Sequence, residues 1–360
     1  LLSKPFVQAN FDYFAAALQG TPMLAERWKR AVAQVNVSIG DAVGRDYAAR
    51  YFPPEAKAQI DAMVAGIKAA YALRIDRLDW MTADTKVKAK AKLANLKIEI
   101  GYPDHWRDYS GLNIARGDLY GDVQRANAFE YGRDLAKLGQ PVDRTEWSFS
   151  TTPQTVNAFN TGPLIKLEFP AGFLAPPYFD PAADPAVNYG AIGTVIGHEI
   201  SHSFDDQGAK LDEKGRLINW WTDDDVKAFK AKTLALAAQY DAYEALPGLH
   251  LQGKLELGEN VGDLGGLVVA LDAYHASLGG RPAPVLDGLT ADQRYFLSYA
   301  QAHRGTVRDD YLRQLVATDP HSPDRFRADD VRNLDAWYAA FDVKPGDKLF
   351  LTPEERVRIW

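Results

Sequence analysis

Apolar residues recur at helical spacing through most of the first hundred positions. Thr21-Pro22 reads as an N-cap followed by proline at the first helical position. Met23, Leu24, Trp28, Val32, Val35 and Ile39 then fall on one face of a predicted helix. Tyr51-Phe52-Pro53-Pro54 breaks the pattern, and Ile60, Met63, Val64, Ile67 and Tyr71 mark the apolar face of a second helix. A third is expected from Thr82 until Gly101-Tyr102-Pro103. Beyond about residue 103 tryptophan, tyrosine, proline and glycine become frequent, and a helix near 121–138 sits among loops. Residues 163–170 alternate between bounding prolines and predict a strand. Residues 189–204 read as helix, and 211–221, with Lys214-Gly215 at the centre, as a hairpin. Thr222-Asp223-Asp224-Asp225 caps a helix running to about Glu244, with acids at the positive end of its dipole. Further helices are expected near 259–278, 292–302, 307–317 and 329–341. The pattern predicts a mainly α protein with a small sheet, an α+β fold, without internal repeats or a Gly/Ser linker.

Composition narrows the function classes. At 360 residues and 39.8 kDa the chain holds two or three units or one large enzyme domain. Apolar residues at 46% and charged residues at 25% exclude a largely disordered chain. Forty-one basic against 48 acidic residues give a net charge of −7, which argues against a nucleic-acid partner. The lysine-rich run from Lys86 to Lys97 is spaced like a solvated helix face. No window approaches the ~18 apolar residues of a membrane span. The absence of cysteine excludes disulfides, thiolate metal sites and cysteine nucleophiles, and leaves the compartment open. The opening Leu1-Leu2-Ser3-Lys4 has no signal-peptide layout and reads as the start of a fragment or a processed product.

The chemistry concentrates in Ile196-Gly197-His198-Glu199-Ile200-Ser201-His202, an H-E-x-x-H pentapeptide in an apolar helical frame. His198 and His202 are one turn apart, so both imidazoles leave one face and can share a metal. Glu199 leaves the helix at another angle and can reach a metal-activated water without taking a coordination position. Zinc in such sites is tetrahedral, with three protein ligands and one open position. The small apolar residues before His198 suit a buried helix, which a chance match on a surface helix would not need.

A third ligand is required, and Glu259 in Gly258-Glu259-Asn260-Val261-Gly262-Asp263 is best framed for it. Asp263, four residues on, shares its helix face and can accept a hydrogen bond from the non-ligating nitrogen of a histidine. The plain alternative is an acidic helix N-terminus stabilised by the dipole. His250, His275 and His303 compete as ligands, each less well framed. Asn157-Ala158-Phe159 precedes the predicted strand, where an extended peptide could pair with a strand edge. Asp319-Pro320-His321-Ser322-Pro323 offers a histidine in a proline-stiffened loop, a candidate donor to an oxyanion, with Arg327 six residues on. A turn asparagine and a surface-loop histidine are the plain readings of these two features.

Taken together, the blocks resemble the neprilysin and endothelin-converting-enzyme family of zinc metalloendopeptidases, within the gluzincins. They are Asn157-Ala158-Phe159, Glu168-Phe169-Pro170-Ala171-Gly172, Gly197 to Asp206, Glu259 to Gly266, Thr318 to Pro323 and Val343-Lys344-Pro345-Gly346-Asp347, in the family's order. The resemblance implies one zinc ion held by His198, His202 and Glu259, with Glu199 as base. It implies Asp263 as a supporting partner and proton donor, His321 as transition-state stabiliser, and Asp205 as an orienting group for His202. Asn157 and Ala158 would bind the substrate main chain, Arg327 would lie near the primed side, and Val195 and Phe173 would wall a pocket favouring a hydrophobic or aromatic residue after the cleaved bond.

The same resemblance divides the chain into residues 1–78, part of a helical, substrate-enclosing second domain, and 79–360, a thermolysin-like catalytic domain. Family members are roughly twice this length, so the chain corresponds to a C-terminal half and an N-terminal half of the parent protein is the expected partner. Val357 stands where animal members carry a cysteine, which fits a bacterial member. The expected substrate is an oligopeptide and the expected place extracytoplasmic, periplasmic or anchored through a preceding segment. The rivals are a gluzincin aminopeptidase, which needs a Gly-x-Met-Glu-Asn type anchor that the sequence lacks, and an inactive peptide-binding protein of the same fold.

Overall fold

Proline in its first turn and Arg74 and Arg77 in its last suit the dipole of α3 (Pro54–Arg77), the helix that carries the N-terminal region into the core. In the computed structural model, which describes residues 2–148 and 151–360, Ile60, Met63, Ile67, Tyr71 and Ile75 on this helix are buried. They pack toward α9 (Leu257–Ser277), and Arg74 adds an ion pair of 2.6 Å to Asp272 of that helix and a 3.0 Å hydrogen bond to the Trp360 carbonyl. The sequence-predicted second helix is therefore present with its apolar face inward.

The first helix differs from its expectation. α1 (Lys4–Asn10) continues as a wider-wound turn over Phe11–Ala17, and α2 (Arg27–Tyr51) starts at Arg27, not after Thr21. The stripe that suggested an earlier start faces outward, with Trp28 63% and Val32 52% exposed. Periodicity defines a face but not what the face meets, and the start is set where Arg27 follows an extended Glu26.

The third helix, α4 (Ala83–Asn95), stops six residues before Gly101, and β1 (Lys97–Gly101) replaces its expected end. The alternation Lys97-Ile98-Glu99-Ile100 is a strand signal that the preceding lysine-rich helix concealed. α5 (Leu119–Ala136) follows among loops as expected. β2 (Phe159–Thr161) and β3 (Lys166–Pro170) complete a sheet of order β1-β3-β2. β1 runs parallel to β3 with Lys97 opposite Lys166, and β2 runs antiparallel with Phe159 opposite Glu168. The strand expected over 163–170 is shorter, because Gly162–Leu164 forms a 3₁₀ turn ahead of it. β3 is the central strand, and β2 is one of the two edges.

α6 (Pro185–Asn188), a wider turn over Tyr189–Gly193 and α7 (Thr194–Ser201) form one continuous helical run. The hairpin expected over 211–221 reduces to a single bridge, Leu211 with Leu217, around Gly215 at φ +77°. α8 (Asp223–Asp241) begins with a capping box between Thr222 and Asp225. Asp225 also accepts from Thr82 N and Thr85 Oγ1, each at 2.6 Å, which ties the start of α4 to the start of α8. β4 (Glu244–Leu246) and β5 (Leu249–His250) form a small hairpin that the pattern did not announce. Beyond α9 come α10 (Ala291–Ala302), α11 (Asp309–Thr318), α12 (Asp324–Arg327) and α13 (Asp335–Phe341). The last expected helix is thus a 3₁₀ turn over Ala328–Asn333 followed by α13. The whole is the mainly α arrangement with a small sheet that the pattern predicted. No helix among the described residues is long and apolar enough to cross a membrane.

Candidate metal centre

α7 and α9 meet where both are bare backbone. A Cβ on Gly197 would come 2.7 Å from Gly266 Cα, one on Gly266 2.1 Å from the Thr194 carbonyl oxygen, and one on Gly262 2.8 Å from the His198 ring. Such distances leave no room for a side chain, so the glycines set how closely the two helices approach. Two hydrogen bonds then hold α7 from either side. The Tyr71 hydroxyl donates to Gly197 O at 3.0 Å, and the Asn160 amide of β2 donates to Glu199 O at 2.7 Å.

This approach delivers three ligand atoms to one point. His198 Nε2 lies 3.0 Å from His202 Nε2, and Glu259 Oε2 lies 3.2 Å from the first and 3.6 Å from the second. Bonds of ~2.0–2.1 Å to a tetrahedral zinc place neighbouring ligand atoms ~3.3 Å apart, within the range these three distances span. Among the described residues, His198, His202 and Glu259 form the one cluster of this kind. The remaining ring nitrogens are already committed. His198 Nδ1 is 2.8 Å from Asp263 Oδ1, and His202 Nδ1 is 2.8 Å from Asp205 Oδ2. A carboxylate on Nδ1 fixes the tautomer that leaves the Nε2 lone pair free, so the donor set fits a divalent zinc.

The electrostatics match. Burial opposes ionisation of Glu259, but hydrogen bonds from His198, His202 and His321 outweigh it and hold the carboxyl far below the usual range. Burial likewise opposes the charge on Asp263, and the Arg327 guanidinium beside it prevails, with two hydrogen bonds of 2.7 Å. His202 is pushed well above its ordinary value, since bonds to Asp205 and Glu259 overcome its desolvation. Three carboxylates aimed at the paired imidazoles, Glu259, Asp263 and Asp205, are the charge environment a dication requires.

The cleft gathers most of the other expected residues. Asn157, Ala158, Glu199 and His321 line, with the ligands, a cavity of about 640 Å³. His321 Nε2 lies 3.1 Å from Glu259 Oε2, and its Nδ1 is 2.9 Å from Asp319 Oδ1. Ser322 Oγ, 2.7 Å from Glu256 Oε2 and 2.8 Å from Asn260 Oδ1, ties the His321 loop to the start of α9. A second cavity, of about 110 Å³, is lined by Val195 and Phe173 together with Tyr178, His303 and Arg327. The competing histidines do not join the ligands. His250 is exposed on β5, His275 pairs with Asp292 at 2.7 Å, and His303 stands edge-on to Tyr299 at 4.6 Å. Sequence reasoning missed Tyr71, Asn160 and Ser322, each of which acts through a backbone carbonyl or a buried carboxylate. The available signals were position alone: Asn160 directly follows the Asn157-Ala158-Phe159 block, and Ser322 directly follows His321.

Residues 157–357 match the family profile described as peptidase family M13, and residues 1–103 match a second profile of the same description. The chain belongs to peptidase family M13. Over its full length it is 34% identical to neprilysin of Homo sapiens, of which it covers 49%. It is 36% identical to the neutral endopeptidase of Lactobacillus helveticus, of which it covers 54%. All of the chain superposes on a crystal structure of the zinc metalloprotease of Mycobacterium tuberculosis in complex with an inhibitor, at a TM-score of 0.93 and 51% identity, covering 55% of that chain. A Lactobacillus rhamnosis structure superposes at a TM-score of 0.89 with 36% identity and the same 55% coverage. The M13 chain described here therefore spans about half the length of the curated relatives it matches.

Proposed function

We propose that this chain carries the catalytic centre of a zinc-dependent endopeptidase acting on oligopeptides. The observation that carries the reading is the convergence of His198 Nε2, His202 Nε2 and Glu259 Oε2, with Glu199 lining the same cleft. Bound there, zinc supplies Lewis acidity toward a carbonyl oxygen and toward water. Glu199 takes the proton of the attacking water and returns it to the leaving amine. Asp263, gripped by Arg327, holds His198, and Asp205 holds His202. His321, whose Nε2 already faces the Glu259 carboxylate, donates to the oxyanion that forms on the scissile carbonyl. Nothing in this scheme forms a covalent bond between enzyme and substrate.

Substrate selection follows from the surroundings. β2 bonds to β3 along one side only, so its other edge is open to an extended peptide, with Asn157 and Ala158 at its start. The 110 Å³ cavity beside Val195 and Phe173 receives the side chain that follows the cleaved bond. Its apolar walls, Val195, Phe173 and Tyr178, suit a hydrophobic or aromatic side chain there. Residues 1–78 contribute to the lobe that encloses the cleft, and the exposed face of α2 is where an N-terminal half of the family's usual length would pack. By family resemblance the chain's place of action is extracytoplasmic.

The test is zinc content by elemental analysis, together with hydrolysis of an internally quenched peptide by the protein and by Glu199→Gln. One zinc per chain, and cleavage that the variant slows by ~10²–10⁴-fold, are expected. Zinc without turnover in the unaltered protein would indicate a binding protein instead. Cleavage that needs a free amino terminus on the peptide would indicate an aminopeptidase.

A further inference from the structure

Lys92 of α4 is 2% exposed and far from any coordinating role, yet its ammonium ends beside the metal centre's support. Nζ donates to Gly208 O at 2.8 Å and to Leu211 O at 2.6 Å, and lies 5.4 Å from the centroid of the Trp220 ring. Trp220 Nε1 donates to the same Gly208 O at 3.0 Å. Two donors from separate elements thus fix one carbonyl.

That carbonyl closes the turn on which Asp205 rests. Asp205 Oδ1 accepts from Gln207 N at 2.9 Å and Gly208 N at 2.7 Å, which leaves Oδ2 for His202 Nδ1. Gly208 is wedged against the histidine itself, since a Cβ there would come 2.4 Å from His202 O. A shift of Gly208 therefore moves Asp205, which aims His202, and presses on the His202 carbonyl. Lys92 has two carbonyls and an aromatic face as contacts, so a buried charge is being held for what it does to the backbone. Burial brings its pKa down to about 8 against the pull of Asp205, Asp212 and Glu213.

We propose that Lys92 is a positioning residue for the metal centre, fixing the 205–211 turn from α4 so that Asp205 keeps His202 Nε2 aimed at the metal. The inference rests on the zinc-site reading of His198, His202 and Glu259. That reading is checked first, by zinc binding to the unaltered chain, so its failure would be seen before any variant is compared.

The experiment measures zinc release from the loaded full chain to a chromogenic chelator, beside thermal unfolding. Lys92→Met should release zinc roughly 10-fold faster, the low end of the ~10–100-fold affinity loss that removing a ligand's direct outer partner causes. Lys88→Met is the control, since Lys88 makes one 3.4 Å bond to Trp220 O and does not touch the turn. It should leave release unchanged even if the melting temperature falls. In the double variant with Asp205→Asn, Lys92→Met should add less than about 2-fold, because both act on His202 by one route. Unchanged release in folded Lys92→Met, or effects that multiply fully in the double variant, would overturn the proposal. Should Lys92→Met not fold, Trp220→Phe removes the other donor to Gly208 O. Faster release from it supports the turn as the aiming device, and unaltered release overturns it.

Discussion

Arg327 grips Asp263 through two hydrogen bonds of 2.7 Å, from Nε to Oδ2 and from Nη2 to Oδ1, and the same Oδ1 meets His198 Nδ1 at 2.8 Å. One carboxylate therefore couples a guanidinium to a metal-facing imidazole. Arg327→Met leaves the buried Asp263 charge without its cation and should cost about 3–5 kcal/mol of stability, read from denaturant unfolding. Asp263→Asn keeps the shape but weakens the hold on His198, and zinc affinity should fall ~10–100-fold in a competition titration.

Glu199→Gln and Glu259→Gln should separate chemistry from binding. The first should keep its zinc and lose ~10²–10⁴-fold in kcat, the usual share of a general base. The second removes a ligand and should lose the metal on dialysis, with elemental analysis as the check. Equal zinc loss in both would contradict the roles assigned here.

Gly266→Ala tests the helix crossing. Its Cβ would lie 2.1 Å from Thr194 O, a backbone atom that cannot swing aside. Separation of α7 from α9 would draw Glu259 away from the histidines, so both the melting temperature and zinc binding should drop. Gly279→Ala is the contrast for crowding, because a Cβ there meets nothing within 4 Å, although its φ of +58° carries a local backbone strain. It should leave zinc binding intact.

His303 predicts an acid sensitivity separate from the metal ligands. Burial, helped by the nearby Arg327 charge, lowers it from 6.5 to about 4. Between those values the unfolded chain binds a proton that the folded chain refuses, so stability falls as pH falls and levels off below about 4. The loss amounts to at most about 3 kcal/mol. His303→Phe should remove that part of the difference between denaturant midpoints at pH 7 and pH 4.5, and a midpoint difference identical to that of the unaltered protein would refute it.

The cluster of His198, His202 and Glu259 was legible because its residues sit in two local stretches of sequence. His198, Glu199 and His202 sit on one turn of helix, and Glu259 and Asp263 on one turn of another. What joins the two turns was not legible. It consists of missing side chains at Gly197, Gly262 and Gly266 and of donors such as Tyr71 and Asn160 whose targets are carbonyl groups, which any residue supplies. The fold shows the same division. α3, with an apolar face meeting a core, stood out plainly. α2 was placed too early because its stripe faces outward, and β1 was read as helix because Lys97-Ile98-Glu99-Ile100 follows a helical lysine run without a break. Three-residue β2 offered too short a pattern to register, although it supplies one sheet edge.

The bond from Asn160 to the Glu199 carbonyl makes the edge strand and the base-bearing helix a single jig. On the proposed endopeptidase reading, a peptide laid along β2 would take its distance to the Glu199 carboxylate from that bond. On that reading backbone pairing would index the chain in whole-residue steps, and the side chain that fills the small cavity would select among those steps.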